Sequence, residues 1–197
     1  MKRIFDILVS LTGLLFFSPL YVIIAISILI YEKKFSILFK QTRIGQYGNP
    51  FVILKFRTMH PDSSHDSISV SGQDRITKIG SILRKYKLDE LPELWNVLVG
   101  DMSFVGPRPD VPGYADSLNG EDRNILKLRP GITGPATLKY ANEEEILKGQ
   151  GDPEKYNDEI IYPDKVRLNL EYYYVRSLFL DIEIMVKSIF RSYHADK

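Results

Sequence analysis

Cysteine is absent from the 197 residues. That removes disulfide frameworks and thiolate metal sites and leaves the compartment open. An excess of one charge sign is missing too: the formal net charge is +1, and no basic run interrupts the chain. Nucleic acid is therefore not an expected partner. Internal repeats and low-complexity tracts are also lacking, which excludes solenoids and biased tails. A chain of this length has room for one domain with a real core.

The strongest feature present is apolar. From Ile4 to Tyr31 the only charged residue is Asp6. A stretch longer than about 18 apolar residues reads as membrane-inserted, and it exceeds the roughly 7–15-residue core of a cleaved signal peptide. Ser18-Pro19 divides it. Proline removes a backbone donor and clashes with the carbonyl four residues back, so a helix kinks there. Each half, at about 1.5 Å of rise per residue, reaches only about 20 Å, short of the roughly 30 Å hydrocarbon core. A sharp bend would give a hairpin entering and leaving on one face. Lys2 and Arg3 before the run, and Lys33 and Lys34 after it, agree with two cytoplasmic ends. A straight spanning helix with a proline kink fits the same residues. In either case the Ser18 hydroxyl can bond a carbonyl that Pro19 frees.

Beyond the membrane segment, Ile37-Leu38-Phe39 reads as a strand, and Gln41 to Pro50 is rich in turn residues. Phe51 to Met59 alternates, with Val52, Leu54 and Phe56 on one face and Lys55 and Arg57 on the other. Two cations on one strand face suit a phosphate floor, or simply a solvated face. His60 to Asp74 is a polar loop. Its His60, Asp62, His65 and Asp66 lack the fixed spacing of a metal site. Helices are expected over 75–87 and over 88–100, the second with Asp89 as N-cap, Pro92 in the first turn and Gly100 at the C-terminus. Further helices are expected over 111–128, from Glu143 to Leu147, over 166–174 and over 178–190, with a turn at Gly149 to Pro153. The last helix belongs to the core or to a membrane interface.

The chemistry centres on Asp89 and Glu90. A cap and a first-turn acid would explain them structurally. A helix N-terminus also keeps a carboxylate ionised and attracts phosphate. An ionised carboxylate can attack phosphorus to give an acyl phosphate, and a neighbouring acid can serve as base. Like charge opposes that attack, so the site must supply cations, Mg²⁺ being the usual one. Lys55, Arg57, Arg84, Arg108 and Arg129 are the candidates. Arg108 is fixed between Pro107 and Pro109, and Arg129 precedes Pro130-Gly131-Ile132-Thr133-Gly134, which reads as a tight turn with free amides.

These residues, in this order, resemble the bacterial sugar transferases, the monotopic phosphoglycosyl transferases. The resemblance runs through most of the chain: Lys2-Arg3-Ile4-Phe5-Asp6-Ile7, the break at Ser18-Pro19, Phe39, Gln41, Arg43 and Gly45, then Lys55-Phe56-Arg57-Thr58-Met59. Its centre is Leu88-Asp89-Glu90-Leu91-Pro92-Glu93-Leu94-Trp95-Asn96-Val97-Leu98. Gly100-Asp101-Met102-Ser103-Phe104-Val105-Gly106-Pro107-Arg108-Pro109 and Arg129-Pro130-Gly131-Ile132-Thr133-Gly134 follow.

The resemblance implies a mainly helical α+β fold. Residues 1–34 would form a re-entrant helix-break-helix hairpin, and residues 35–197 a cytosolic, membrane-associated domain with a β-hairpin and interfacial amphipathic helices. It implies a monotopic protein on the cytoplasmic face of the bacterial inner membrane. Asp89 would attack the sugar-bearing phosphorus of a UDP-sugar and UMP would leave. Polyprenol phosphate, deprotonated by Glu90, would then take the phospho-sugar. Mg²⁺ would sit on Asp89 with the diphosphate, and Lys55, Arg84 and Arg108 near phosphate, with Arg57 and Arg129 as further cations. The Pro107-Arg108-Pro109 turn would lie at the uridine end. Membrane lipids are implied partners, and a homodimer is compatible.

The chain departs from the family after the Arg129 turn. Many relatives read Leu-Ala-Gln-Val-Asn-Gly-Arg there, and this chain reads Pro135-Ala136-Thr137-Leu138-Lys139-Tyr140-Ala141. The segment through Asp164 is also longer than in the smallest relatives. Both bear on the identity of the sugar more than on the reaction. The extra N-terminal helices and regulatory domain of larger relatives have no counterpart, so the chain resembles a bare catalytic unit. Two rivals compete with this reading. In one, a membrane-anchored scaffold uses the acids as caps and the cations as lipid contacts. In the other, the acids only hold Mg²⁺ and the acceptor attacks directly.

Overall fold

A computed structural model of the chain describes residues 1–32, 36–60 and 76–194. Lys33, Lys34, Asp62, His65 and Asp66 lie outside these residues. The fold is α+β and mainly helical. It begins with α1 (Lys2–Phe16) and α2 (Ser18–Glu32), which meet at a 58° bend. No single described helix is long and apolar enough to cross a membrane; the bent pair passes that test together. The Ser18 hydroxyl donates to the Leu15 carbonyl at 2.8 Å. That carbonyl is four residues before Pro19, the one a proline leaves without its usual donor.

The hairpin is turned inside out relative to a soluble helix pair. Its buried face on α1 carries Asp6 and Ser10, with the Asp6 carboxylate accepting from the Phe104 N–H at 3.4 Å. Its exposed face carries Ile4, Leu8, Leu15, Phe16, Ile23 and Ile30, Phe16 being 75% exposed. α2 anchors the pair through Ile24 and Ile28, buried against Phe56 and Leu83. A clasp closes the other end. Lys2 Nζ lies 2.6 Å from Asp181 Oδ2 and 3.1 Å from the Val105 carbonyl, and the Tyr172 hydroxyl donates to the other Asp181 oxygen. Asp181 is buried. Removing one member of such a network leaves the others unpaired. Asp181→Ala is therefore expected to cost on the order of 3 kcal/mol, read as a loss in denaturant midpoint.

Strands β1 (Leu38–Ile44) and β2 (Pro50–Phe56) pair antiparallel from Leu38↔Phe56 to Ile44↔Pro50. The first strand is longer than Ile37 to Phe39. The turn confines itself to Gly45 to Asn49 because Tyr47 and Gly48 both adopt left-handed backbone, with φ of 61° and 82°. Helix α3 (Lys78–Lys85) starts at Thr77, whose side chain accepts from the Gly80 N–H. The helix expected over 88–100 splits. Leu88–Glu90 form one 3₁₀ turn, entered through left-handed Lys87, and α4 (Glu93–Val99) starts only after Pro92. Pro92 has no N–H to give the Leu88 carbonyl, which accepts from Leu91 instead at 3.3 Å. Asp89 is thus not the N-cap of α4. Gly100 ends that helix in left-handed backbone, as expected.

The Pro130 to Gly134 segment is not a turn with free amides. Gly131–Thr133 form β4, parallel to β3 (Ser103–Val105). Its Gly131 N–H is donated to the Pro107 carbonyl at 2.7 Å. Residues 111–128 form no continuous helix either, because Gly113 and Gly120 take left-handed backbone. Short 3₁₀ turns at Ala115–Ser117 and Asp122–Lys127 replace it. The remainder is helical: α5 (Pro135–Lys139), α6 (Glu143–Lys148), α7 (Pro153–Tyr156), a π turn at Asn157–Ile161, α8 (Tyr162–Val175) and α9 (Leu178–His194). Along α9, Phe179, Ile182, Ile189 and Phe190 are exposed.

Candidate active site

Lys55, expected beside phosphate, projects from the end of β2 onto two carboxylates. Its ammonium lies 2.7 Å from Glu90 Oε1 and 3.2 Å from Glu93 Oε1. Arg108 reaches the same Glu90 oxygen at 2.9 Å. The Pro107-Arg108-Pro109 segment is pinned along its length. The Gly131 N–H donates to the Pro107 carbonyl, Arg43 to the Pro109 carbonyl at 3.2 Å, and the Ile44 N–H to the Asp110 carbonyl at 2.9 Å. These bonds aim Arg108 from the paired strands at the 3₁₀ turn. Its side chain remains 49% exposed, so part of the guanidinium is open to a ligand.

Asp89 differs from its neighbours. Among the described residues Glu90 and Glu93 are ion-paired and Asp89 is not. Burial, then the adjacent Glu90 charge, pushes its pKa above the ordinary aspartate value, against the fields of Lys55 and Arg84. Arg84, on α3, pairs with Glu144 at 3.4 Å. Burial would raise Glu90 as well, but Arg108 and Lys55 overcome it and hold this carboxyl well below the usual range. Glu93 is 3% exposed, and burial beside the Glu90 charge pushes it up to about 7. Three carboxylates therefore crowd one short turn, with cations around them.

Arg57 and Arg129 each give one donor to the frame. Arg57 Nε donates to the Ser36 carbonyl at 3.0 Å, and Arg129 Nε to the Gly100 carbonyl at 2.9 Å. Arg3 joins Arg129 at this helix end, bonding the Val97 and Leu98 carbonyls. Cations suit a helix C-terminus, and here they tie the hairpin to α4. Glu93, Arg43 and Asp110 were not among the expected site residues. The sequence signal for Glu93 was its place one turn past Asp89. Asp110, next to the proline-flanked arginine, is pushed up to about 6 by burial.

Among the described residues no three His, Cys, Asp or Glu side chains converge closely enough to hold a metal ion by themselves. The donor set still fits Mg²⁺, which commonly takes one or two carboxylates and completes its shell with water and substrate phosphate. Asp89, crowded by Glu90 and without an ion pair among the described residues, is the residue that would hold it. A cleft of about 550 Å³ opens beside Arg108 and runs between Lys87, Asp110, Tyr140, Glu143 and Tyr162. A second hollow of about 400 Å³, mostly apolar, lies between α2 and α3 with Leu88 in its wall.

The constellation lies within residues 1–195, which match the bacterial sugar transferases as a family. The chain belongs to that family. It is 34% identical over 193 residues to the UDP-glucose:undecaprenyl-phosphate glucose-1-phosphate transferase of Caulobacter vibrioides, covering 95% of this chain and 68% of the relative. It is 32% identical to the exopolysaccharide production protein ExoY of Rhizobium meliloti, covering 95% of this chain and 83% of that protein. It is 33% identical to the UDP-N-acetylgalactosamine-undecaprenyl-phosphate N-acetylgalactosaminephosphotransferase of Aeromonas hydrophila, across 95% of this chain but 42% of the relative.

The ammonium of Lys55, shared between Glu90 and Glu93, makes the charge of this cluster sensitive to pH. Below about 7 Glu93 takes up a proton, and Lys55 has one carboxylate fewer to neutralise. Phosphate should then bind better. Affinity for a diphosphate diester, which does not itself titrate in this range, is expected to weaken roughly two- to fivefold between pH 6 and 8, and Glu93→Gln should flatten that slope in a calorimetric titration.

Proposed function

We propose that the transferase moves a sugar 1-phosphate from a UDP-sugar to undecaprenyl phosphate, releasing UMP, through a covalent bond to Asp89. The observation that carries this reading is an aspartate with no ion pair among the described residues, on a 3₁₀ turn ringed by Lys55, Arg84 and Arg108. An Asp89 oxygen attacks the sugar-bearing phosphorus, and the bond from that phosphorus to the UMP oxygen breaks. An oxygen of the lipid phosphate then attacks the same phosphorus. The bond to Asp89 breaks, leaving polyprenol diphosphate sugar. Both steps bring anions together, so charge compensation dominates the barrier. Mg²⁺, held by Asp89, would supply part of that compensation. Arg108 and Lys55 turn from Glu90 to the diphosphate. Glu90, relieved of two cations, then regains affinity for a proton and can take it from the incoming phosphate.

The acceptor reading is supported by the apolar hollow between α2 and α3, lined by Ile24, Ile79, Ile82 and Leu88, the last being the sequence neighbour of Asp89. The bend at Phe17 and the outward apolar face support a re-entrant hairpin in the cytoplasmic leaflet of the inner membrane. The absence of cysteine gives a clean test of topology. A cysteine placed ahead of Met1 and one at Glu171→Cys should react with an impermeant maleimide from the same side; opposite access would mean a spanning helix.

The reaction is tested by incubating the protein in lipid nanodiscs with UDP-sugar and undecaprenyl phosphate. UMP and polyprenol diphosphate sugar should form in equal amounts. Release of UDP would mean that the bond at the sugar carbon breaks, and the phosphoryl-transfer reading would fall.

A further inference from the structure

Among the described residues β2 pairs with β1 alone, so its second edge is open. One side chain closes it. Asn96 on α4, 2% exposed, accepts from the Leu54 N–H at 3.0 Å and donates to the Val52 carbonyl at 2.8 Å. A residue of a parallel neighbour would bond the same two groups, on either side of Ile53. The carboxamide therefore stands in for one peptide of a third strand. Its other N–H points to Asp101 Oδ2 at 3.4 Å, and its backbone carbonyl takes the N–H groups of Gly100 and Met102, both at 3.1 Å. Turning the amide over would set its NH2 against the Leu54 N–H, so a single orientation satisfies every partner.

The same pair of bonds decides what lies opposite Lys55. Ile53 and Lys55 share a strand face, about 6.7 Å apart. Val97 and Glu93 share a helix face, about 6 Å apart along the axis. Val97 packs with Ile53, and Glu93 then falls over Lys55 at 3.2 Å. Apolar packing is not directional and lets a helix slide along a strand, whereas two bonds to fixed backbone atoms do not. A slip of one residue would turn Lys55 to the other face of the sheet.

We propose that Asn96 is a positioning residue for the transfer reaction: by closing the open edge of β2 it fixes Lys55 against Glu90 and Glu93, and so sets the place from which that ammonium turns to the diphosphate. This rests on the proposed reaction, in which Lys55 leaves Glu90 for the substrate. Arg3 and Arg129 hold carbonyls at the end of α4, so the strand is the partner free to shift. An apolar residue in place of Asn96 would leave the Leu54 N–H and the Val52 carbonyl unpaired and release Lys55 from its register.

The test follows UMP release by the full chain in nanodiscs, with undecaprenyl phosphate, Mg²⁺ and either UDP-glucose or UDP-N-acetylgalactosamine. Assays run well below the Tm of every variant, and over hours so that slow ones register. Asn96→Leu, close in volume, should lower kcat at least tenfold, the scale on which a small misplacement of a charge-bearing group acts. Lys55→Met keeps Arg84 and Arg108, so a slow rate remains to be measured. In that background the same Asn96→Leu change should cost less than threefold, because the group that it places is gone. A residue that only supports the fold would cost the same in both backgrounds. A loss of threefold or more in the Lys55→Met chain, or a kcat for Asn96→Leu alone within threefold of wild type, would overturn the assignment. If Asn96→Leu does not fold, Asn96→Ser carries the same cycle. A wild-type chain that releases UMP from neither donor would instead sink the transfer reading itself, and the assignment with it.

Discussion

Asp89→Asn is expected to lower UMP release by about 10³–10⁴-fold or more, the scale on which a lost nucleophile acts. Binding of the UDP-sugar, measured without Mg²⁺, should hold or tighten. Asparagine keeps the shape of the side chain and removes a negative charge that already crowds Glu90. The diphosphate would then meet one repulsion fewer. This split separates the covalent reading from its rivals. A scaffold would show no turnover to lose. If Asp89 only helped to hold a metal, excess Mg²⁺ should restore much of the lost rate, which it cannot do for a lost nucleophile.

Gly131→Ala should have the largest effect on folding. A Cβ there would lie 2.2 Å from Gly106 N, 2.5 Å from the Thr133 carbonyl oxygen and 2.7 Å from the Gly106 carbonyl oxygen. All three are backbone atoms, so no side chain can swing away. β3 and β4 would have to separate, at a cost of about 3 kcal/mol or more, or roughly 10 °C in Tm for a chain of this size. The Pro107 carbonyl would lose the Gly131 N–H that holds it. Arg108 would lose its aim at Glu90, so activity should fall in the residual folded fraction as well. Gly149→Ala is the control, because the nearest atom to its Cβ lies 3.6 Å away.

What was legible in the sequence is mostly local. The proline break, the Ser18 bond to Leu15, the alternation of β2 and the glycine that ends α4 each depend on a few neighbouring residues. The cations were legible as types but not as roles. Lys55, Arg84 and Arg108 converge on the turn, while Arg57 and Arg129 look the same in sequence and each give their Nε donor to a backbone carbonyl. What decided between them was register across β1–β2 and the β3–β4 crossing, both long-range pairings. Two errors share a physical origin. Asp89 read as a helix cap because Asp, Pro and Gly fall at helix-end spacing, yet Pro92 leaves the Leu88 carbonyl to a tighter turn. The glycines of the Pro130 to Gly134 segment read as a turn, yet they serve close packing of two backbones. Glu93 escaped notice because a buried glutamate is uncommon, and only its contact with Lys55 shows why it is tolerated.

The central claim is that a carboxylate crowded by other acids can still reach an anionic phosphorus, because cations stand ready beside it. Intact-protein mass spectrometry tests it most directly. The chain is mixed with UDP-sugar and Mg²⁺, without lipid acceptor, and quenched. The account requires one sugar-phosphate adduct, mapped to Asp89, formed together with one UMP and discharged when undecaprenyl phosphate is added. Steady product formation with the acceptor present, but an unmodified mass at every quench time without it, would contradict the account.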